Sequence, residues 1–232
     1  MKKENPNLPA ISNMSNFLKK YLPSFFPLEK RKTNFQRLEV NRRDDHLVLD
    51  APHVNYSYGN LHRVFQHAFN IDELDISTLN EVLILGFGAG SVAHILQKEL
   101  DCKANITGVE IDPEVIQLAN KYFDLQSFNK LSIEIADAFE FVKTAKSGYD
   151  LIVVDLFIDH LIPEKFDSPE FLEQINRLLL PGGKVFYNRM FYSHSDKQRT
   201  RLFEDVFRQY FPLTSFSQTP SFSNNIVFTA RK

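Results

Sequence analysis

The sequence predicts an α/β protein, with a mostly parallel seven-stranded sheet that ends in an antiparallel pair and a small β-hairpin subdomain before it. Three observations carry this expectation. From Asn80 onward, short β-branched apolar runs alternate with helical segments, a pattern that implies right-handed crossovers and parallel strands. Near the end, two strand-like runs are joined by a Pro/Ser/Asn-rich turn, as in an antiparallel pair. Upstream, two strand-like stretches flank a polar turn.

Residues 1–33 form an arm. It holds four prolines and a basic-aromatic stretch, with Phe17, Leu18, Tyr21, Leu22, Phe25 and Phe26 beside Lys19 and Lys20, followed by Lys30-Arg31-Lys32. Burying one such apolar side chain contributes roughly 1.5–3 kcal/mol, so the arm is expected to pack on its own domain or on a second subunit. Residues 34–60 are the hairpin subdomain: Phe35-Gln36-Arg37-Leu38-Glu39-Val40 and His46-Leu47-Val48-Leu49-Asp50 read as strands around polar residues 41–45. Residues 61–232 are the main domain. Its first helix spans residues 61–69, with Leu61, Val64, Phe65 and Ala68 on one face. Strands follow at 82–85, 106–109, 131–135, 151–154 and 184–188, with helices near 91–100, 113–123, 138–146 and 168–180. Short apolar runs of this kind suit strands covered on both faces. A helix over 196–210 and strands near 213–218 and 225–230 complete the chain.

Composition narrows the function. A net charge of −2 argues against a protein built to hold nucleic acid. No apolar run reaches membrane-spanning length, and no apolar stretch follows the basic start, so neither a membrane span nor a secretory signal is expected. A single cysteine, Cys102, excludes an intramolecular disulfide and fits a reducing compartment, hence the cytoplasm. The cysteine reads as a small apolar side chain between a helix and a strand. No Cys/His cluster has metal-ligand spacing, so no metal is expected.

The chemistry concentrates where strands end. Val82-Leu83-Ile84-Leu85 runs into Gly86-Phe87-Gly88-Ala89-Gly90 and then a helix. Gly86, Gly88 and Gly90 let the backbone turn sharply beside a ligand, and the helix start offers free N–H groups. Glu110 ends the next strand, where a carboxylate can accept hydrogen bonds from both ribose hydroxyls and would repel a 2′-phosphate. Asp137 ends the third strand; it can accept from an adenine amino group or cap the following helix. Ile111 and Ala138 could sandwich the adenine ring. Asp155 ends the fourth strand, at the carboxyl edge where ligands bind in such sheets.

These phrases, with Gly108-Val109-Glu110-Ile111-Asp112-Pro113, Tyr149-Asp150-Leu151-Ile152-Val153-Val154-Asp155 and Leu180-Pro181-Gly182-Gly183, resemble the Rossmann-like class I methyltransferase fold and, within it, the spermidine synthase branch. The resemblance implies S-adenosylmethionine or its decarboxylated form as cofactor, Asp155 as the base, Asp159 as a second catalytic carboxylate, and Tyr58 and Gln36 in the pocket. It also suggests a homodimer joined through the N-terminal part. The departures are Ala89, where that branch carries a loop Asp for the donor's ammonium, and Tyr58-Gly59-Asn60 in place of Tyr-His-Glu or Tyr-Gln-Glu. Leu156-Phe157-Ile158-Asp159-His160 likewise stands in place of a serine-rich loop. Lost carboxylates and added apolar residues predict a greasier pocket, because a dry site cannot hold an unpaired ammonium. The sequence therefore favours a methyltransferase acting on a small, partly apolar acceptor. An aminopropyltransferase of polyamine synthesis and a non-catalytic nucleoside-binding member are the alternatives.

Overall fold

The computed structural model describes residues 26–43, 46–53, 55–146, 148–191, 193–218 and 223–232. Residues 1–25, most of the expected arm, lie outside these. So do the packing of its aromatics and its part in a dimer.

The N-terminal hairpin is part of a four-stranded antiparallel sheet in sequential order: β1 (Glu29–Lys32), β2 (Arg37–Arg43), β3 (His46–Asp50) and β4 (Asn55–Ser57). Lys30-Arg31-Lys32, grouped with the arm in the sequence, belongs to the edge strand β1. In β2 the buried Leu38 and Val40 alternate with more exposed neighbours, the period-two pattern of a strand with one covered face. Helix α1 (Gly59–Ile71) follows, burying Val64, Phe65, Ala68 and Phe69.

The main sheet has seven strands: β5 (Glu81–Leu85), β6 (Asn105–Glu110), β7 (Leu131–Ile135), β8 (Tyr149–Val154), β9 (Leu179–Met190), β10 (Thr214–Gln218) and β11 (Asn225–Arg231). Their order is β10-β11-β9-β8-β5-β6-β7. Strands β7, β6, β5, β8 and β9 are parallel, while β11 runs antiparallel to both β9 and β10. The expected terminal pair is therefore present.

Central strands are covered on both faces. Val82 and Ile84 of β5 join one apolar cluster, and Leu83 and Leu85 join the other. Edge strand β7 departs from the expected pattern. It is half open, with Ile135 exposed, because it lies at the sheet edge with β6 as its one neighbouring strand. Phenylalanines serve both clusters, and in the second Phe203, Phe207, Phe211 and Phe228 meet ring to ring, with centroids 4.7–5.9 Å apart. Arg189, buried among them, lies over the Phe203 ring and is paired with Asp167. Cys102 is buried, as expected.

Helix ends follow local chemistry. Asp112 and Ser168 accept from backbone N–H groups at the starts of α3 (Pro113–Tyr122) and α5 (Pro169–Leu178), each with proline in the first turn. Ser193 and Asp196 form a reciprocal cap on α6 (His194–Tyr210). The helix expected over 91–100 is a short α-helix, α2 (Ser91–His94), continued as a π-helical turn over Ile95–Glu99. Between β7 and β8 lies α4 (Ala138–Thr144). Among the described residues, no helix is long and apolar enough to cross a membrane.

Candidate functional site

The site forms at the carboxyl ends of β5, β6 and β8, where the parallel strands stop and their loops fan out. After Leu85 the chain turns at Gly86 (φ +83°). A β-carbon there would sit 2.0 Å from the Asp155 carbonyl oxygen, so only glycine lets the β5 and β8 ends approach this closely. Phe87 turns inward and is buried, with its ring occupying the space that the missing side chain of Gly108 leaves. Gly88 N–H then donates to Glu110 Oε2 at 2.9 Å, and Asp112 N–H donates to Oε1 at 3.1 Å.

Glu110 is buried, and burial pushes its carboxyl up to about 7, against the opposing pull of the Asp112 and Gly88 N–H groups. The lone pairs left over suit hydroxyl donors, as the sequence reading requires for ribose. A carboxylate accepting from two hydroxyls contributes about 1.5–3 kcal/mol. We therefore expect Glu110→Ala to weaken binding of the adenosyl donor at least tenfold by calorimetry; unchanged affinity would remove Glu110 from the site.

Two cavities meet here. The smaller, about 60 Å³, is walled by Val109, Glu110, Ile111, Asp137, Ala138 and Lys165, together with Leu156, Phe157 and Ile158. Asp137 accepts from Phe139 N–H at 2.8 Å as the cap of α4, and it is ion-paired with Lys165. The capping role is therefore the one its geometry displays. The larger cavity, about 480 Å³, is lined by Gly86, Gly88 and Ser91 on one side and by Asn55, Ser57, Asn60, Gln218, Asn224 and Asn225 among others. Tyr56, Gly86, Asp155 and Phe157 face both. Leu156 and Ile158 thus wall the smaller cavity, Phe157 faces both, and the larger cavity mixes amides with Leu61, Phe87, Val92 and Met190. The apolar residues expected of a greasier pocket are joined there by amides from β4 and the start of β11 that no motif announces.

Asp155 stands at the junction. It is held by Asn188 Nδ2 at 2.8 Å, and Asn188 Oδ1 in turn accepts from Asn225 Nδ2 at 2.9 Å. Burial raises Asp155 to about 7; the Asn188 hydrogen bond opposes this and the nearby Glu110 charge adds to it. Asp159 borders the larger cavity. Burial alone would raise its carboxyl, but hydrogen bonds from His53 and His160 outweigh that and hold it below the usual range. These three residues place potential metal donors within 4.8 Å of one another, a grouping hidden in the sequence because His53 comes from a distant loop.

Tyr58 and Gln36 take positions other than those the resemblance implies. Strand β4 ends at Ser57, and the backbone at Tyr58 turns left-handed (φ 63°). Its ring then stacks on His62 and Phe123, centroids 5.7 and 5.0 Å away, and lines neither cavity. Tyr56 is the tyrosine in the wall. Gln36 supports from behind, hydrogen-bonding Tyr56 and accepting from Asp159 N–H at 2.9 Å. Gly90 likewise stays off the walls and serves as the left-handed start of α2. Sequence reasoning missed Tyr56, Asn55, Asn188 and Asn225. The only signal for Asn188 was a polar residue closing the apolar run of β9.

Against this geometry, the spermine/spermidine synthase domain model matches residues 65–231. The chain belongs to the spermine/spermidine synthase family. A probable polyamine aminopropyl transferase of Bifidobacterium longum is 38% identical over 109 residues, covering 47% of this chain and 24% of that protein. A polyamine aminopropyltransferase of Vibrio vulnificus is 32% identical over 133 residues, covering 56% of this chain and 44% of that protein. The chain thus spans less than half the length of these curated relatives. Among solved structures, a probable spermidine synthase of Corynebacterium glutamicum superposes with a TM-score of 0.74 at 20% identity, covering 88% of this chain and 79% of that one. Human methyltransferase-like protein 13 in complex with SAH superposes at 0.64 and 20% identity, covering 74% of this chain and 82% of that one. At such identities these two structures bear on the fold, and the spermine/spermidine synthase membership rests on the family match.

Proposed function

We propose that the protein transfers an aminopropyl group from decarboxylated S-adenosylmethionine to an amine acceptor. The observation that carries this is Asp155, a half-buried carboxylate at the junction between the small cleft beside Glu110 and a larger cavity. That larger cavity's described lining contains no lysine or arginine, and its titratable carboxylates are Asp155 and Asp159. A cation-free wall with two carboxylates suits an ammonium-bearing acceptor and offers no counter-charge for a donor's carboxylate. The family match and this wall together favour it over the methyl transfer that the sequence suggested.

In this reading Glu110 holds the ribose, Ile111 and Ala138 flank the adenine, and the sulfonium lies near Gly86. The acceptor enters the larger cavity as an ammonium and passes a proton to Asp155. Its nitrogen then attacks the propyl carbon bonded to sulfur. A C–N bond forms, the C–S bond breaks, and the sulfonium leaves as neutral methylthioadenosine. A base titrating near neutrality suits this step. The wall amides Asn55, Asn60 and Asn225 can position the far end of the acceptor.

A second reading, methyl transfer, is favoured by one feature: Ala89 gives the glycine turn no carboxylate to grip the decarboxylated donor. Incubation with each donor and a panel of diamines separates the two. Methylthioadenosine release, dependent on amine, supports aminopropyl transfer; S-adenosylhomocysteine from S-adenosylmethionine would establish methyl transfer instead. A homodimer with the N-terminal segment at its contact is proposed alongside, tested by sedimentation of the full chain.

A further inference from the structure

The glycine turn raises a question of charge. Residues Gly86 to Gly90 carry no ionisable side chain, and Asp155 is engaged with Asn188 and with the reacting nitrogen. Yet a decarboxylated donor ends in an ammonium, which needs acceptors when it leaves water. The nearest side chain after the turn is Ser91, at the start of α2 and in the wall of the larger cavity.

Ser91 is buried and is one end of a relay. Its Oγ lies 2.9 Å from His62 Nδ1, and His62 Nε2 lies 2.5 Å from Glu99 Oε1. Gln66 Nε2 donates to the other oxygen of Glu99 at 2.6 Å. Burial would raise the Glu99 carboxyl, but the hydrogen bonds from Gln66 and His62 outweigh it and hold it below the usual range. Glu99 is therefore ionised at neutral pH and only accepts. The His62 proton must then sit on Nε2. In the neutral imidazole, Nδ1 becomes an acceptor, so the Ser91 hydroxyl donates to it. The oxygen of Ser91 is left with lone pairs for the cavity.

Packing fixes this arrangement. Tyr58 stacks on the His62 ring, and His94 meets both rings edge-on. The stacking explains why Tyr58 is turned away from the cavity, since it clamps the middle member of the relay. The π-helical turn at Ile95–Glu99 ends on the residue that supplies the carboxylate.

We propose that Ser91, oriented by His62 and Glu99, is the acceptor for the ammonium at the end of the donor's side chain, and that it sets the preference for a decarboxylated donor. Glu99 acts at one remove, placing the carboxylate's influence behind a histidine rather than in the glycine turn. A donor still carrying its carboxylate would set an anion against the Ser91 lone pairs. This inference rests on the reading that the donor's tail occupies the larger cavity.

The test compares two probes by calorimetry: decarboxylated S-adenosylmethionine, and methylthioadenosine, which shares the adenosyl part but lacks the amine. Ser91→Ala and Glu99→Gln are measured beside the unaltered protein. Glutamine at 99 can donate to His62 Nε2, which moves the ring proton to Nδ1 and turns Ser91 into an acceptor from histidine. Both variants are expected to lose at least fivefold in affinity for the decarboxylated donor and less than twofold for methylthioadenosine. Glu99 is partly exposed and the glutamine is isosteric, so this variant keeps the comparison open if Ser91→Ala folds poorly. Equal losses for both probes, or no loss for either, would overturn the proposal. Failure of aminopropyl transfer itself reads out separately, as absence of methylthioadenosine from the unaltered protein with any amine.

Discussion

Replacing Asp155 by Asn is expected to lower turnover by about 10²–10⁴-fold, the usual contribution of a positioned general base, while leaving donor affinity within a few-fold. The amide keeps the shape and can still accept from Asn188, so geometry is preserved and only the proton sink is lost. The unaltered enzyme should show kcat/KM rising with pH through about 7, where Asp155 becomes ionised. In Asp155→Asn, with the donor held saturating so that Glu110, also raised to about 7, does not enter through binding, that limb should vanish. Methylthioadenosine release across pH 5.5–9 reads both outcomes on a scale set by the ordinary carboxylate range; a variant with near-normal rate would remove Asp155 from the chemistry.

The same residue affects stability with a definite sign. Its folded pKa lies above the ordinary value, so the native state holds the proton to higher pH than the unfolded chain does. Its contribution to stability is present below about pH 4 and falls as pH rises toward 7. Asp155→Asn should therefore melt higher than the unaltered protein at pH 8, the common trade of stability for a charged site.

Gly86→Ala is expected to be the most damaging single methyl group in the molecule. The added carbon would lie 2.0 Å from the Asp155 carbonyl oxygen, which is backbone and cannot rotate away. The position also has φ +83°, costly for alanine. Overpacking and backbone strain each cost roughly 1–3 kcal/mol, so a loss of about 4 kcal/mol is expected in denaturant unfolding. Gly148→Ala is the matched comparison: its φ is also positive, but nothing lies within 4 Å. It should show the backbone cost alone. If both variants lose equally, the close approach of β5 to β8 is not what requires glycine at 86.

The framework was legible because its signals are local or periodic. Strand–glycine–helix at 82–91, Glu110, Asp137 and Asp155 are all named by their place at strand ends, and the structure gathers Glu110, Asp137 and Asp155 around one small cavity. The acceptor side was not legible, for a physical reason. Its walls come from β4, the 155–160 loop and the start of β11, segments distant in sequence that carry amides rather than a motif. Tyr58 was the natural choice over Tyr56 by resemblance; a single left-handed residue at the end of β4 exchanges their roles. The histidine relay escaped notice for the same reason, since Ser91, His62 and Glu99 are brought together only by the docking of α1 on α2.

The order of strands in the main sheet also bears on how the molecule is assembled in time. The small sheet pairs each strand with its sequence neighbour, so it can zip up from short loops on the timescale of hairpins, about 1–10 μs. The large sheet has such a start only in its terminal pair, β10 and β11. Strand β5 must find β8, the middle strand, across three complete crossovers, with Val82 beside Leu151, before the floor of the site exists. Pairings that close long loops form late and slowly. The small sheet and α1 are therefore expected to gain protection from hydrogen exchange first, and the Asp155 junction last, making the reactive centre the final part of the protein to take shape.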